Sequence, residues 1–173
     1  LIFYFFSTIP LKNNLKLSHD RKFADNFYSE SFKIEYELDY SKHLKTFNLP
    51  ENSGGINIGD QKAIYFLTKL YTPTKILELG THIGCSTINF LMASKKNQNF
   101  QSLTTIDIVD VNNEKISNWK KYSSSFSPKE MSEKINMQNK IIFINDFTDN
   151  FLKKNKQKYD LIFIDAGPVS YTH

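Results

Sequence analysis

From Asp60 onward the hydrophobic pattern switches repeatedly between a helical and a strand period. Ala63, Ile64, Leu67, Leu70 and Tyr71 recur at helical spacing, predicting a helix over Asp60 to Tyr71 that Thr72-Pro73 ends. Ile76, Leu77 and Leu79 then form a short apolar run suited to a strand buried on both faces, interrupted by Glu78. Ser86 to Lys96 reads as a helix with Ile88, Leu91 and Met92 on one face and lysines at the negative end of its dipole. Leu103 to Val109 predicts a second strand, ending near Asp107. Val111 to Asn139 is polar and broken by Ser123, Ser124, Ser125 and Pro128, so two helices around a loop are expected there. Ile141 to Asn145 is a third strand, Phe147 to Lys156 a short helix, and Tyr159 to Asp165 a fourth strand. Strands alternating with helical runs predict an α/β fold, a parallel sheet with helices on both faces.

The chain before Asp60 is less periodic. A helix from about Phe32 to Phe47 is expected, with Ile34, Leu38 and Leu44 inward. Pro50 to Gly59, containing Ser53, Gly54 and Gly55, reads as a loop. It divides residues 1–50, a helical or irregular cap, from a main domain over 51–173. Leu1 to Phe6 is apolar, yet too short to span a bilayer and without a basic region before it; it reads as the remnant of a membrane helix or signal peptide. With no opening methionine and a stop soon after the fourth strand, the sequence reads as a fragment lacking C-terminal strands.

Composition narrows the class. With 173 residues, 40% of them hydrophobic and 23% charged, one α/β domain with a real core is expected and disorder is not. The net charge of +4 comes from dispersed lysines, Arg21 being the only arginine, so nucleic-acid binding is not favoured over a solvated surface. A lone Cys85 excludes an internal disulfide and fits a reducing, cytoplasmic compartment.

Glu78, Asp107, Asp146 and Asp165 all fall at or just beyond the C-terminal ends of the four predicted strands. In an open parallel sheet those ends share one edge, where ligands bind. Between the first strand and the next helix, Gly80 and Gly84 allow a tight turn, and Ser86 and Thr87 stand at a helix N-terminus suited to an anion. The run Gly80-Thr81-His82-Ile83-Gly84-Cys85 lacks the middle and last glycines of a dinucleotide fingerprint, which disfavours an NAD enzyme without removing it. An acid two residues before the first glycine suits a ligand with an ammonium or sulfonium charge.

The segment L-E-L-G-T-H-I-G-C-S-T resembles the first motif of class I S-adenosylmethionine-dependent methyltransferases, above all the catechol-type O-methyltransferases of small molecules. Asn57-Ile58-Gly59-Asp60 with Lys62 is similar to the segment preceding that motif, and T-T-I-D-I-V and Y-D-L-I-F-I-D-A are similar to later ones. The resemblance implies a Rossmann-like methyltransferase fold with its first four strands ordered 3-2-1-4, and methyl transfer to an oxygen of a small-molecule acceptor. It implies cofactor contacts at Asn57, Ile58, Gly59, Glu78, Gly80, His82, Gly84, Ser86, Asp107, Asp146, Thr148 and Asp165. Within that set Glu78 would anchor the methionine or ribose part, Ser86 the cofactor carboxylate, Asp107 the ribose, and Asp146 with Thr148 the adenine side.

In cation-dependent members of the family the acid at Asp165 is the first ligand of a Mg²⁺. The chain departs from that pattern directly afterwards, because Ala166-Gly167-Pro168 stands where those enzymes carry a lysine or histidine base. His173 is the nearby alternative. A non-catalytic module that keeps the fold is therefore a second reading beside the enzyme. Truncation after the fourth strand would also leave that strand as an apolar edge, which predicts an unstable or aggregating chain.

Overall fold

The computed structural model describes residues 2–5, 30–47, 56–116, 118–122 and 124–165. Its centre is strand β2, Lys75–Leu79, in a sheet with β1 (Ile2–Phe5), β3 (Ser102–Asp107), β4 (Ile141–Asn145) and β5 (Leu161–Ile164). The sheet order is β1-β5-β2-β3-β4, with β5, β2, β3 and β4 mutually parallel. Those four strands reproduce the expected 3-2-1-4 order. Registers Leu77↔Thr104 and Thr104↔Ile142 run through the middle of the sheet, while Asp107↔Asn145 closes one edge.

The fourth parallel strand is not an open edge. The backbone of Ile2–Phe5 pairs antiparallel with β5, in the register Ile2↔Ile164 to Phe5↔Leu161. Two expectations are thereby corrected: the apolar start of the chain is a sheet strand, and the β5 edge that was to drive aggregation is hydrogen-bonded. Six apolar residues are too few for a bilayer but sufficient for a strand, a distinction that depends on a partner edge remote in sequence.

Strand alternation sends Ile76 and Glu78 to one face of β2 and Leu77 and Leu79 to the other. On the first face Ile76, Leu103, Leu161 and Phe163 join the main core with α2 (Ile58–Tyr71), α3 (Cys85–Ser94) and α5 (Pro128–Lys134). Every residue of α3 is buried, so the one-sided stripe expected for it is replaced by a helix enclosed all round. Phe90 and Phe163 meet edge to face with ring centroids 5.4 Å apart; burying each contributes about 2–3 kcal/mol. The second face is smaller: Leu77, Leu79, Ile106 and Tyr159 pack with Ile144, Ile162 and Phe151, the last on α6 (Thr148–Lys154).

Helix α1 spans Glu30–Phe47 but presents a different face from the one expected. Ile34 and Leu38 are 55% and 67% exposed, whereas Tyr36 and Phe47 are fully buried. The side chain of Leu44 lies outside the described residues. The inward face is held by polar as well as aromatic contacts. Glu35 bridges Lys69 and Lys96, each at 2.7 Å, the Tyr65 hydroxyl donates to Asp39 at 2.6 Å, and Tyr36 packs on Tyr65 and Phe66. Periodicity alone does not distinguish an aliphatic stripe from one made of Tyr36 and partnered acids.

Two boundaries also move. Helix α2 begins at Ile58, inside the expected loop, because Asn57 caps it by accepting from the Asp60 N–H at 2.9 Å. The segment 111–139 holds two helices as expected, α4 (Asn118–Lys121) and α5. Pro128, read as a breaker, instead opens α5: Ser127 and Glu130 form a reciprocal capping box around it.

Candidate functional site at the carboxyl edge of the sheet

After Leu79 the chain turns sharply out of the sheet. Gly80 has φ of 101° and donates its N–H to the Ile106 carbonyl at 2.9 Å, tying the turn to β3. His82 adopts a left-handed φ of 50°. The Gly84 N–H closes the turn onto the Thr81 carbonyl at 2.9 Å, and Gly84 then serves as N-cap of α3 with φ of 84° and no side-chain cap. A Cβ on Gly84 would stand 2.9 Å from Met131 Cε and 3.0 Å from Pro128 Cβ. The second glycine is thus required by the helix packed against it as well as by its own backbone.

Glu78 lies one residue inside the strand end and is fully buried. Its Oε1 accepts from the Ser86 hydroxyl, and its Oε2 accepts from Thr87 and Thr105, each at 2.6 Å. Because Thr105 spends its only hydroxyl proton on Glu78, the 2.6 Å contact between Thr81 and Thr105 must be donated by Thr81. One carboxylate therefore joins β2, β3, the turn and the first turn of α3. Burial raises its pKa to about 7, against the lowering effect of its three hydroxyl donors; the Asp165 charge pushes in the same direction as burial.

Asp107, at the end of β3, holds the turn from the other side. Its Oδ2 accepts the His82 N–H at 2.8 Å and its Oδ1 the Val109 N–H at 3.0 Å. The His82 ring is half-buried and packs edge-on against Tyr122 with centroids 4.7 Å apart. Burial lowers its pKa, while Asp107 and Asp165 oppose the shift. Asp146 follows β4, its N–H on the Asp107 carbonyl at 3.1 Å and its Oδ1 accepting from the Phe147 N–H and Asn150. Thr148 starts α6 beside it. Asp165 follows β5, with its N–H on the Leu79 carbonyl at 3.0 Å; burial and the Asp60 charge raise its pKa, and His82 opposes them.

Asp107, Asp146, Asp165 and the glycine turn are therefore neighbours along one edge, as their strand-end positions predict. Asn57, Ile58 and Gly59 form the start of α2, whose Asp60 is close enough to act on Asp165. Glu78 and Ser86 are turned toward each other beneath that edge. Several residues had no distinguishing mark in the sequence. Thr81 and Thr105 join Thr87, already marked at the helix N-terminus, in completing the Glu78 cage, Ile108 and Phe147 beside the two strand-end acids are 48% and 54% exposed, and Tyr122 comes from a stretch without periodicity. Only the apolar character of Ile108 immediately after an acid was a usable signal.

Ala166, Gly167, Pro168 and His173 lie outside the described residues. Among the described residues no group of three or more His, Cys, Asp and Glu is arranged to hold a metal ion, and no helix is long and apolar enough to cross a membrane. The donor set fits a zwitterionic nucleoside ligand: helix N–H groups for a carboxylate, strand-end carboxylates for hydroxyls and a cation, and exposed apolar residues beside them.

Solved structures share this architecture. An SAH-bound methyltransferase of Podospora anserina matches 86% of the chain with a TM-score of 0.50 at 16% identity. A proposed O-methyltransferase of Klebsiella pneumoniae matches 84% with a TM-score of 0.51 at 17% identity. The chain spans 59% and 58% of the lengths of those two proteins. No curated protein sequence matches it. The likenesses establish the Rossmann-like fold, and a family model described as a methyltransferase domain matches residues 77–172, more than half of the chain and all of β2 to β5 from Leu77 on. The chain belongs to the methyltransferase domain family.

Proposed function

We propose that the protein transfers a methyl group from S-adenosylmethionine to an oxygen of a small-molecule acceptor. The observation that carries this is the convergence, at one edge of a parallel sheet, of the glycine turn with the carboxylates of Asp107, Asp146 and Asp165. When bound, S-adenosylmethionine supplies an electrophilic methyl group on a sulfonium. The chain's own work is then to bind, orient and exclude water. Backbone N–H groups in the first turn of α3 hold the ligand carboxylate, with Gly80 keeping the approach clear and Gly84 letting α5 pack behind that turn.

Asp107 receives the ribose hydroxyls. Each of its oxygens already accepts one backbone N–H and retains lone-pair capacity for another donor. Asp146 and Thr148, with Ile108 and Phe147, border the base. Asp165 faces the ammonium group, and Asn57, Ile58 and Gly59 close over the methionine part with His82 opposite. A cytoplasmic location belongs to the same proposal, supported by the single, buried Cys85.

Calorimetric titration of the 173-residue chain with S-adenosylmethionine tests the assignment. Binding is expected, and Asp107→Ala is expected to weaken it by about 10- to 100-fold, the equivalent of about 1.5–3 kcal/mol for hydrogen bonds to a charged group. Absence of binding, or an unchanged affinity in that variant, would overturn it.

A further inference from the structure

Among the described residues the buried Glu78 carboxylate is held by side-chain hydroxyls alone, unusual company for an anion site. Ser86 belongs to the first turn of α3, the place assigned above to the ligand carboxylate, yet its hydroxyl proton is committed to Glu78. A hydroxyl has one proton and two lone pairs, so Ser86 serves either Glu78 or the ligand as donor, never both. Resting on the site assignment above, we infer that Glu78 is a proton-linked positioning residue: a ligand carboxylate at α3 takes over the Ser86 hydroxyl proton, and Glu78 binds a proton from solvent in exchange.

The balance is closed. The Ser86 O–H rotates from Glu78 Oε1 to the ligand carboxylate, no covalent bond to the ligand forms or breaks, and one solvent proton adds to Glu78. The new Glu78 O–H donates to the Ser86 oxygen, while Thr87 and Thr105 continue to donate to Oε2. The reverse arrangement, with an ionised Glu78 short of one donor and a second anion nearby, is disfavoured by burial and by repulsion together.

The groups facing Glu78 support this polarity. From α3 they are Ser86 and Thr87, from β3 Thr105, and from β5 its register partner Phe163, none of which titrates near neutrality. The charged or titratable neighbours lie further out: Asp165 beyond β5 makes ionisation of Glu78 harder, while Asp60 and His82 act on Asp165 and Asp107 acts on His82. With burial holding the Glu78 pKa at about 7, the carboxyl is poised so that a modest change at Ser86 moves a proton.

The test is calorimetric titration of the 173-residue chain with S-adenosylmethionine in buffers of different ionisation enthalpy. At pH 7 about half of Glu78 is ionised, so uptake of up to about half a proton per ligand is expected, rising at pH 8 and vanishing toward pH 5. Decarboxylated S-adenosylmethionine, which keeps the amine and the sulfonium but lacks the carboxylate, should bind with no uptake, and this arm needs no variant. At pH 7, where the ligand's α-amino group is already mostly protonated, Glu78→Gln and Ser86→Ala should each abolish the uptake caused by S-adenosylmethionine beyond that amine's small share. Binding of S-adenosylmethionine with heats independent of buffer would overturn the proton link alone. Failure to bind at all would overturn both it and the site assignment on which it rests.

Discussion

The buried Glu78 carboxyl makes a prediction for the protein without any ligand. Its pKa lies at about 7 in the folded chain against an ordinary value of 4.5. Between those values the folded state binds more protons than the unfolded one, so stability falls as pH rises through the window and is constant outside it. A difference of two to three units corresponds to about 3 kcal/mol, a sizeable part of the stability of a domain this small. Glu78→Gln removes the titration while keeping a side chain of the same shape. The amide brings donors where three hydroxyls now donate, which costs a constant amount at every pH.

The diagnostic quantity is therefore the slope with pH and not the offset. Urea unfolding of both proteins from pH 5 to pH 8 should show the difference moving toward the variant by about 2–3 kcal/mol. His82, with its lowered pKa, acts with the opposite sign: burial penalises its charged form, so its contribution is lost as pH falls below the unfolded value of 6.5. It is present in both proteins and cancels in the difference. A difference independent of pH, or one that moves toward the wild type as pH rises, would refute the reasoning.

Two further substitutions probe how the edge is assembled. Gly84→Ala meets Met131 and Pro128 at 2.9–3.0 Å while forcing a side chain to φ of 84°, so a loss of about 2 kcal/mol is expected; an unchanged thermal midpoint would contradict the packing account. Asp160→Ala should cost about 1–2 kcal/mol at pH 7, because one carboxylate oxygen accepts the Thr74 N–H, the Lys75 N–H and the Thr74 hydroxyl where β2 and β5 begin. Burial raises the Asp160 pKa, but these donors outweigh it and the net shift is downward. Its stabilisation is thus full above the unfolded value of 3.8 and lost as pH falls through the lower folded one, so the gap between the two proteins should close in acid, as circular dichroism melts at pH 3 and pH 5 would register.

The sequence by itself determined the parallel strands, their alternation with helices, and the convergence of Asp107, Asp146 and Asp165 with the glycine turn. These follow from short-range information. A four- to six-residue apolar run closes on a strand, a glycine pair marks the turn, and parallel strands must present the same end at one edge. Ile141–Asn145 even matches residue for residue. Contacts between remote segments were decided only by tertiary structure. Ile2–Phe5 becomes a strand because the β5 edge lies beside it, and α1 buries Tyr36 because Tyr65, Lys69 and Lys96 meet it there.

The same division runs through Glu78. Its acidity at a strand end was legible, and resemblance implied a direct hold on the ligand. What the fold adds is a cage drawn from positions 81, 86, 87 and 105, which turns the carboxylate inward and sets its charge by burial. A side chain's type is local, but its dielectric surroundings and its hydrogen-bond partners belong to the whole sheet and the helices packed upon it.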